Sequence, residues 1–345
     1  METKNDQYDF VDITKFFFML CVVGIHTNIY ELSYSYGWYI LTCLFRLAVP
    51  FFFVASGFFF MAKLEKSGGG LEQTVKSYIK RILVPLLFYV ALNISLDVFL
   101  KIINNYQFSV KWFIKTFQRI LFDPPGAMWF LSACFYGIIF LVPFIKYNKI
   151  NYALVIGIFL YIFALTSNTY HYLVKDKILL KRLIDLWQFF FRTTRNGLFV
   201  GFFELALGIK AYELHKKNDK ILIFFIPLFF LILFIESYYA KLNRSNIKGD
   251  GSMFFIIPFL AQCIFLLSLN IKIKFKYSKL LRNLSSGMYF MHCFVLSIIS
   301  IGLVHLPPAF ADSPIIKFLL TTFISFLVCI IGYKVNNKRI NLLIK

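Results

Sequence analysis

Apolar stretches of ~17–25 residues, each stopped by charge, proline or glycine, recur along the whole chain, and this recurrence limits what it can fold into. Ten are legible, at roughly 13–33, 41–62, 82–100, 126–145, 151–168, 196–214, 221–240, 253–270, 284–304 and 315–333. In hydrocarbon every backbone amide must find its partner within the protein, and an α-helix does so along its own length. The expectation is an all-α, polytopic integral membrane protein of about ten transmembrane helices. Between the stretches no segment is long and polar enough for a separate soluble domain, so residues 1–345 read as one membrane-embedded unit.

Composition agrees. The chain is 59% hydrophobic and 16% charged, with mean hydropathy +0.71, outside the range of soluble cores. A net charge of +20 then speaks for headgroup contact rather than nucleic acid, because Lys and Arg collect in loops beside anionic lipids. Most of the 37 Lys and Arg lie at the N-terminus, in loops 63–81, 146–149, 210–220 and 272–282, and in the tail 334–345. The positive-inside rule puts these segments, and both termini, in the cytoplasm. The opening METKNDQYDFVD is mixed in charge and no small-residue cleavage site follows, so the first helix is expected to stay in place. A multi-pass protein of the cytoplasmic membrane, with lipid as its surroundings, is expected. Cys21, Cys43, Cys134, Cys263, Cys293 and Cys329 all lie in apolar runs without metal-ligand or CxxC spacing. They read as small buried side chains, with no metal site.

Ionisable groups inside such stretches cost on the order of ~2.5–3.5 kcal/mol at mid-helix, so each one is informative. Lys15 and His26 are eleven residues apart, about 1100° of helical rotation or ~20° past three turns, and ~16 Å along the axis. Asp12 falls within ~40° of the same line. The three form one stripe, from the charged end of the helix to an imidazole expected well inside the membrane. Histidine is the side chain best suited to exchange protons near neutral pH or to carry an acyl group. In FRLAVPFFFVASGF, Arg46 stands near a helix end, and Pro50 with Ser56-Gly57 is expected to break helical regularity. Lys80 and Arg81 in YIKRILVP are ordinary positive-inside residues that also suit a phosphate arriving from the cytoplasm. Trp129 reads as an interfacial belt residue, Glu204 needs a partner or a cavity, and Arg195 and His292 mark two later stretches.

In order and spacing these residues resemble the acyltransferase-3 family of bacterial membrane proteins. The matching features are Asp12 and Lys15-x10-His26, RLAVPFFFVASGF, YIKRILVP, MWFL, RNGLFVGFFELALG and SSGMYFMH. The resemblance implies about ten helices and transfer of an acyl group, usually acetyl, from cytoplasmic acyl-coenzyme A to a cell-surface or lipid-linked glycan. The family's basic-plus-histidine motif carries over to Lys15 and His26; the basic position is often Arg, and Lys lacks its bidentate fork. Under the resemblance His26, Lys15 and Asp12 are catalytic, and Lys80 and Arg81 bind the donor. Arg46, Ser56, Trp129, Arg195, Glu204 and His292 line the acceptor side of a pore. The chain is similar to the stand-alone form, without a soluble hydrolase-like domain. Acyl-coenzyme A is a co-substrate and no cofactor is expected. Two rival readings stay open: a permease for an amino acid, sugar or lipid-linked oligosaccharide, as suspected for the membrane part of some serine-racemase fusions, and an assembly subunit of the envelope.

Overall fold

The structure is a computed structural model that describes residues 8–33, 36–248 and 251–335, with 337 and 343. The N-terminal segment 1–7 and most of the tail, on which the cytoplasmic placement of the termini rests, lie outside the described residues. The described residues are helical and hold no strand. In chain order the helices are α1 (Asp9–His26), α2 (Gly37–Cys43), α3 (Ala48–Lys66), α4 (Leu71–Ile103), α5 (Val110–Phe122), α6 (Trp129–Lys146), α7 (Ile150–Thr166), α8 (Ile178–Phe191), α9 (Phe202–Lys216), α10 (Ile226–Leu242), α11 (Ile257–Asn270), α12 (Ser278–Leu303), α13 (Pro308–Ala311) and α14 (Pro314–Val335).

Each of the ten apolar stretches carries a helix. Among the described residues six helical segments are long and apolar enough to cross a membrane: Gly37–Lys66, Leu71–Ile103, Trp129–Lys146, Ile221–Leu242, Ser278–Leu303 and Pro314–Val335. Ile150–Thr166 and Ile257–Asn270 are apolar but shorter. The chain is thus a multi-pass membrane protein. α10 and α14 confirm the lipid-facing character in their side chains: Leu319, Phe323, Leu327 and Ile331 run four residues apart along α14 and are all exposed, the pattern of a helix whose outer face meets acyl tails rather than water.

The helices depart from the expected limits at three places. The first apolar stretch was expected to run to 33, but α1 ends at His26: Thr27 caps it through its backbone N–H to Val23, and Asn28 takes a left-handed conformation at φ 57°. His26 is therefore the terminal residue of α1, not a mid-helix one. In the second stretch the break falls at Leu44–Leu47, where α2 gives way to a 3-10 turn; α3 then runs unbroken through Pro50, Ser56 and Gly57. Pro50 sits in the first turn, where a missing N–H costs nothing. Third, the two longer connections hold helices α5 and α8. α5 starts at Ser109, whose Oγ accepts from the Trp112 amide at 3.2 Å, and it alternates Lys111, Lys115 and Arg119 with exposed Phe113, Ile114 and Phe117. The pair lies together, with Arg192 3.8 Å from Asp123.

The interior is built on α3 crossing α9. A Cβ at Gly57 would meet the Leu205 carbonyl oxygen at 2.2 Å, and one at Gly208 would meet the Val54 carbonyl oxygen at 2.2 Å. Two glycines facing each other let two backbones touch. Around this crossing α1 packs on α12 and α3, α11 on α3 and α9, and α6 on the start of α9.

Candidate active site

Two cavities open inside this bundle. The first, about 260 Å³, is lined by His26, Arg46, Trp129, Arg195, Glu204 and Tyr161 among others. The second, about 400 Å³, is lined by Lys15, Ser56, Arg81, Arg282, Ser285 and Ser286 with aromatic neighbours. The stripe on α1 reaches both: Lys15 faces the larger cavity and His26 the smaller.

The His26 cavity is assembled from eight helices and the turns between them, and local rules place each group. Arg46 sits in the 3-10 turn ahead of α3. Trp129 opens α6, and the guanidinium of Arg195 lies over its ring at 4.6 Å, an arrangement in which the indole face attracts the cation. Arg195 also donates to Ser252 at 3.4 Å. Behind it, residues Gly197–Gly201 form one π-helical turn whose first amides, Leu198 and Phe199, are accepted by Asn196 Oδ1 at 3.0 and 3.3 Å. The wider turn leads into α9 with Glu204 facing the cavity. Such turns often mark functional positions. Glu204 is 1% exposed, and its Oε2 has no hydrogen-bond partner among the described residues. A buried acceptor with nothing to accept from is costly.

His292 packs beside His26, with ring centroids 5.1 Å apart. Its Nδ1 lies 2.7 Å from the Tyr289 carbonyl oxygen and its Nε2 3.3 Å from Cys293 Sγ. The ligand atoms of His26, His292 and Cys293 fall within 4.8 Å of one another. Among the described residues these three side chains are close enough together to offer ligand atoms to one cation.

The larger cavity carries three cations, Lys15, Arg81 and Arg282. Lys15 Nζ lies 4.2 Å above the Phe59 ring. Arg282 also stands 3.9 Å from Asp12. Such a group of donors beside the hydroxyls of Ser285 and Ser286 suits phosphate oxygens.

The remaining expected site residues fall elsewhere. Asp12 is 3% exposed, lines neither cavity, and accepts from Ser278 Oγ at 2.7 Å, tying α1 to α12. Lys80 is exposed and does not line the cationic cavity that its neighbour Arg81 lines. Ser56 lines the Lys15 cavity and not the His26 cavity, and shares a hydrogen bond with Tyr78 at 2.7 Å. The stripe on α1 therefore serves two cavities, Lys15 in one and His26 in the other. Arg119, Asp123, Tyr161, Arg282 and Tyr289 were not singled out by sequence; Arg282 precedes SSGMYFMH by about one turn, which is the one signal that pointed toward it.

A multi-pass helical protein with a histidine-centred cavity backed by a separate cationic one is the class that fold and site define. The family model described as an acyltransferase domain matches residues 8–334, and the chain belongs to that acyltransferase-3 family. Two Enterococcus faecalis proteins named amino-acid racemase are similar to it, one 27% identical over 92% of this chain and the other 26% identical over 95%. A serine/alanine racemase of Enterococcus gallinarum is 25% identical over 73% of this chain. The chain spans less than half the length of each, 45%, 45% and 36% respectively. No solved structure matches it.

Proposed function

We propose that the protein moves a short acyl group, acetyl before others, from cytoplasmic acyl-coenzyme A to a hydroxyl of a cell-surface or lipid-linked glycan, in the cytoplasmic membrane. One observation carries this reading: a cationic cavity and a histidine-carboxylate cavity lie back to back along one helix, α1, about 16 Å being the rise from Lys15 to His26. The first suits the phosphates of the donor, the second a polyhydroxylated acceptor.

In this reading Lys15, Arg81 and Arg282 hold donor phosphates. In the other cavity Glu204 accepts from an acceptor hydroxyl, and Arg46, Trp129 and Arg195 position the sugar. His26 takes the proton of the attacking hydroxyl. The sugar oxygen bonds to the thioester carbonyl carbon, the carbon–sulfur bond breaks, and the imidazolium returns the proton to the departing thiolate. The relay variant splits this in two: the imidazole nitrogen takes the acyl group first and the hydroxyl removes it.

The test is mass spectrometry of surface polysaccharide from cells with and without the gene, and from cells carrying His26→Ala. An acyl-sized mass difference that disappears in the variant, at equal membrane levels of protein, supports the reading. Identical glycans in all three sink it. A second reading is favoured by the relatives named racemases: an amino-acid permease using the His26 cavity as its substrate site. Uptake of labelled serine or alanine into vesicles, with no acyl transfer, selects it.

A further inference from the structure

We propose that Tyr289 is a movable partition between the two cavities, and that the acyl group reaches His26 only when its ring swings aside. This rests on the acyl-transfer reading above. Among the described residues Tyr289 is the one that lines both cavities, and it is 5% exposed. Its ring meets those of Phe52 on α3 and Phe130 on α6 at 6.0 and 5.5 Å, and these two meet each other at 6.2 Å. Three rings from three helices therefore form a single aromatic layer. On the far side the Tyr289 ring lies 5.8 Å from that of His292, which touches His26. Contacts thus run from the cationic cavity through Tyr289 to the imidazole pair.

The layer is thin at this one side chain. Phe52 and Phe130 border the Lys15 cavity alone. The tip of Tyr289 is held by one hydrogen bond, its hydroxyl donating to the Ala127 carbonyl oxygen at 2.8 Å. Ala127 stands at φ 62° after Gly126 at φ 70°, a left-handed conformation uncommon for alanine, in the loop that forms one wall of the His26 cavity. Rotation of an aromatic side chain about χ1 and χ2 needs no helix movement, and it would join the cavities along the line the donor's thioester arm must follow. The closed ring keeps water and ions from crossing between acyl transfers. Tyr289 is accordingly a positioning residue that controls passage.

The test uses Ser286→Cys, which puts a thiol in the cationic cavity, in three forms: Tyr289 retained, Tyr289→Phe and Tyr289→Ala. Each is placed in sealed vesicles of one orientation and exposed to a membrane-impermeant sulfonated maleimide from either face, with labelling at position 286 read by mass spectrometry. From the Lys15 face all three label alike. From the His26 face Tyr289→Ala labels at least an order of magnitude faster than the parent, and Tyr289→Phe, which lacks only the bond to Ala127, labels several-fold faster. Equal, slow labelling of all three from the His26 face overturns the proposal. Where Tyr289→Ala fails to fold, seen as lost labelling from the Lys15 face, Tyr289→Phe decides: no acceleration overturns it. The labelling needs neither donor nor acceptor. Accelerated labelling in a protein that transfers no acyl group therefore removes the acyl cargo and keeps the partition, whereas acyl transfer without acceleration removes the partition alone.

Discussion

The Nδ1 atom of His292 lies 2.7 Å from the carbonyl oxygen of Tyr289. A carbonyl oxygen only accepts, so Nδ1 carries the hydrogen, and in the uncharged ring Nε2 is left as the acceptor facing Cys293 Sγ at 3.3 Å. His292 is therefore an oriented imidazole set against His26, the relation by which one ring is held for the other's work.

Removing His26 is expected to lower acyl transfer by roughly 10²–10⁴-fold, the usual contribution of a general base. His292→Ala is expected to fall short of that while leaving donor affinity unchanged, because it touches the base and not the cationic cavity. Transfer of radiolabelled acetyl from acetyl-coenzyme A in membranes, with donor binding measured beside it, checks both. A His292→Ala protein with native turnover would remove the orienting role.

Arg81 and Lys80 are neighbours in sequence, but only Arg81 lines the cationic cavity. Arg81→Ala is expected to weaken acyl-coenzyme A binding about tenfold, ~1.4 kcal/mol, and Lys80→Ala to leave it unchanged. Calorimetry on the purified protein separates them. Equal losses at the two positions would return both to a general electrostatic role.

Glu204 is expected to act on the acceptor. Glu204→Ala raises the acceptor KM and leaves donor affinity alone, and Glu204→Gln, which keeps one carbonyl oxygen as acceptor, costs less. Steady-state kinetics with the two substrates varied independently reads this. A change confined to the donor KM contradicts it.

Zinc is expected to inhibit. Imidazole and thiolate are the ligands this ion takes, and the three in question lie within 4.8 Å of one another. Micromolar Zn²⁺ should block transfer, a chelator restore it, and Cys293→Ala raise the inhibitory concentration. Inhibition unaltered in Cys293→Ala would place the ion elsewhere.

The α3–α9 crossing is expected to tolerate nothing beyond glycine. A Cβ at Gly57 or Gly208 lands 2.2 Å from a backbone oxygen of the other helix, and backbone cannot yield as a flexible side chain does. Gly57→Val is expected to cost at least ~1–3 kcal/mol, seen as a lower melting temperature and a smaller folded yield in detergent. Gly302, with nothing within 4 Å of its added Cβ, provides the contrast: Gly302→Ala should match the parent.

The order of the apolar stretches was enough to place a helix in each of them, because hydrocarbon leaves the backbone no other way to satisfy its polar groups. The spacing of Lys15 and His26 likewise put both on one line of α1, since residues eleven apart share a helical face whatever packs against it. Helix ends were less legible: α1 stops at His26 because Asn28 adopts a left-handed conformation, a choice apolarity does not encode. The site itself was read only as a set of separate residues. That His26 meets His292 and Cys293, that Arg81 lines the cationic cavity while Lys80 does not, and that Tyr289 lines both cavities all depend on how the helices cross. Those crossings are set by contacts such as Gly57 on Gly208, between residues far apart in sequence and close only in space. Local periodicity determined the parts of this protein; which side chains share a cavity was decided by the packing of one helix on another.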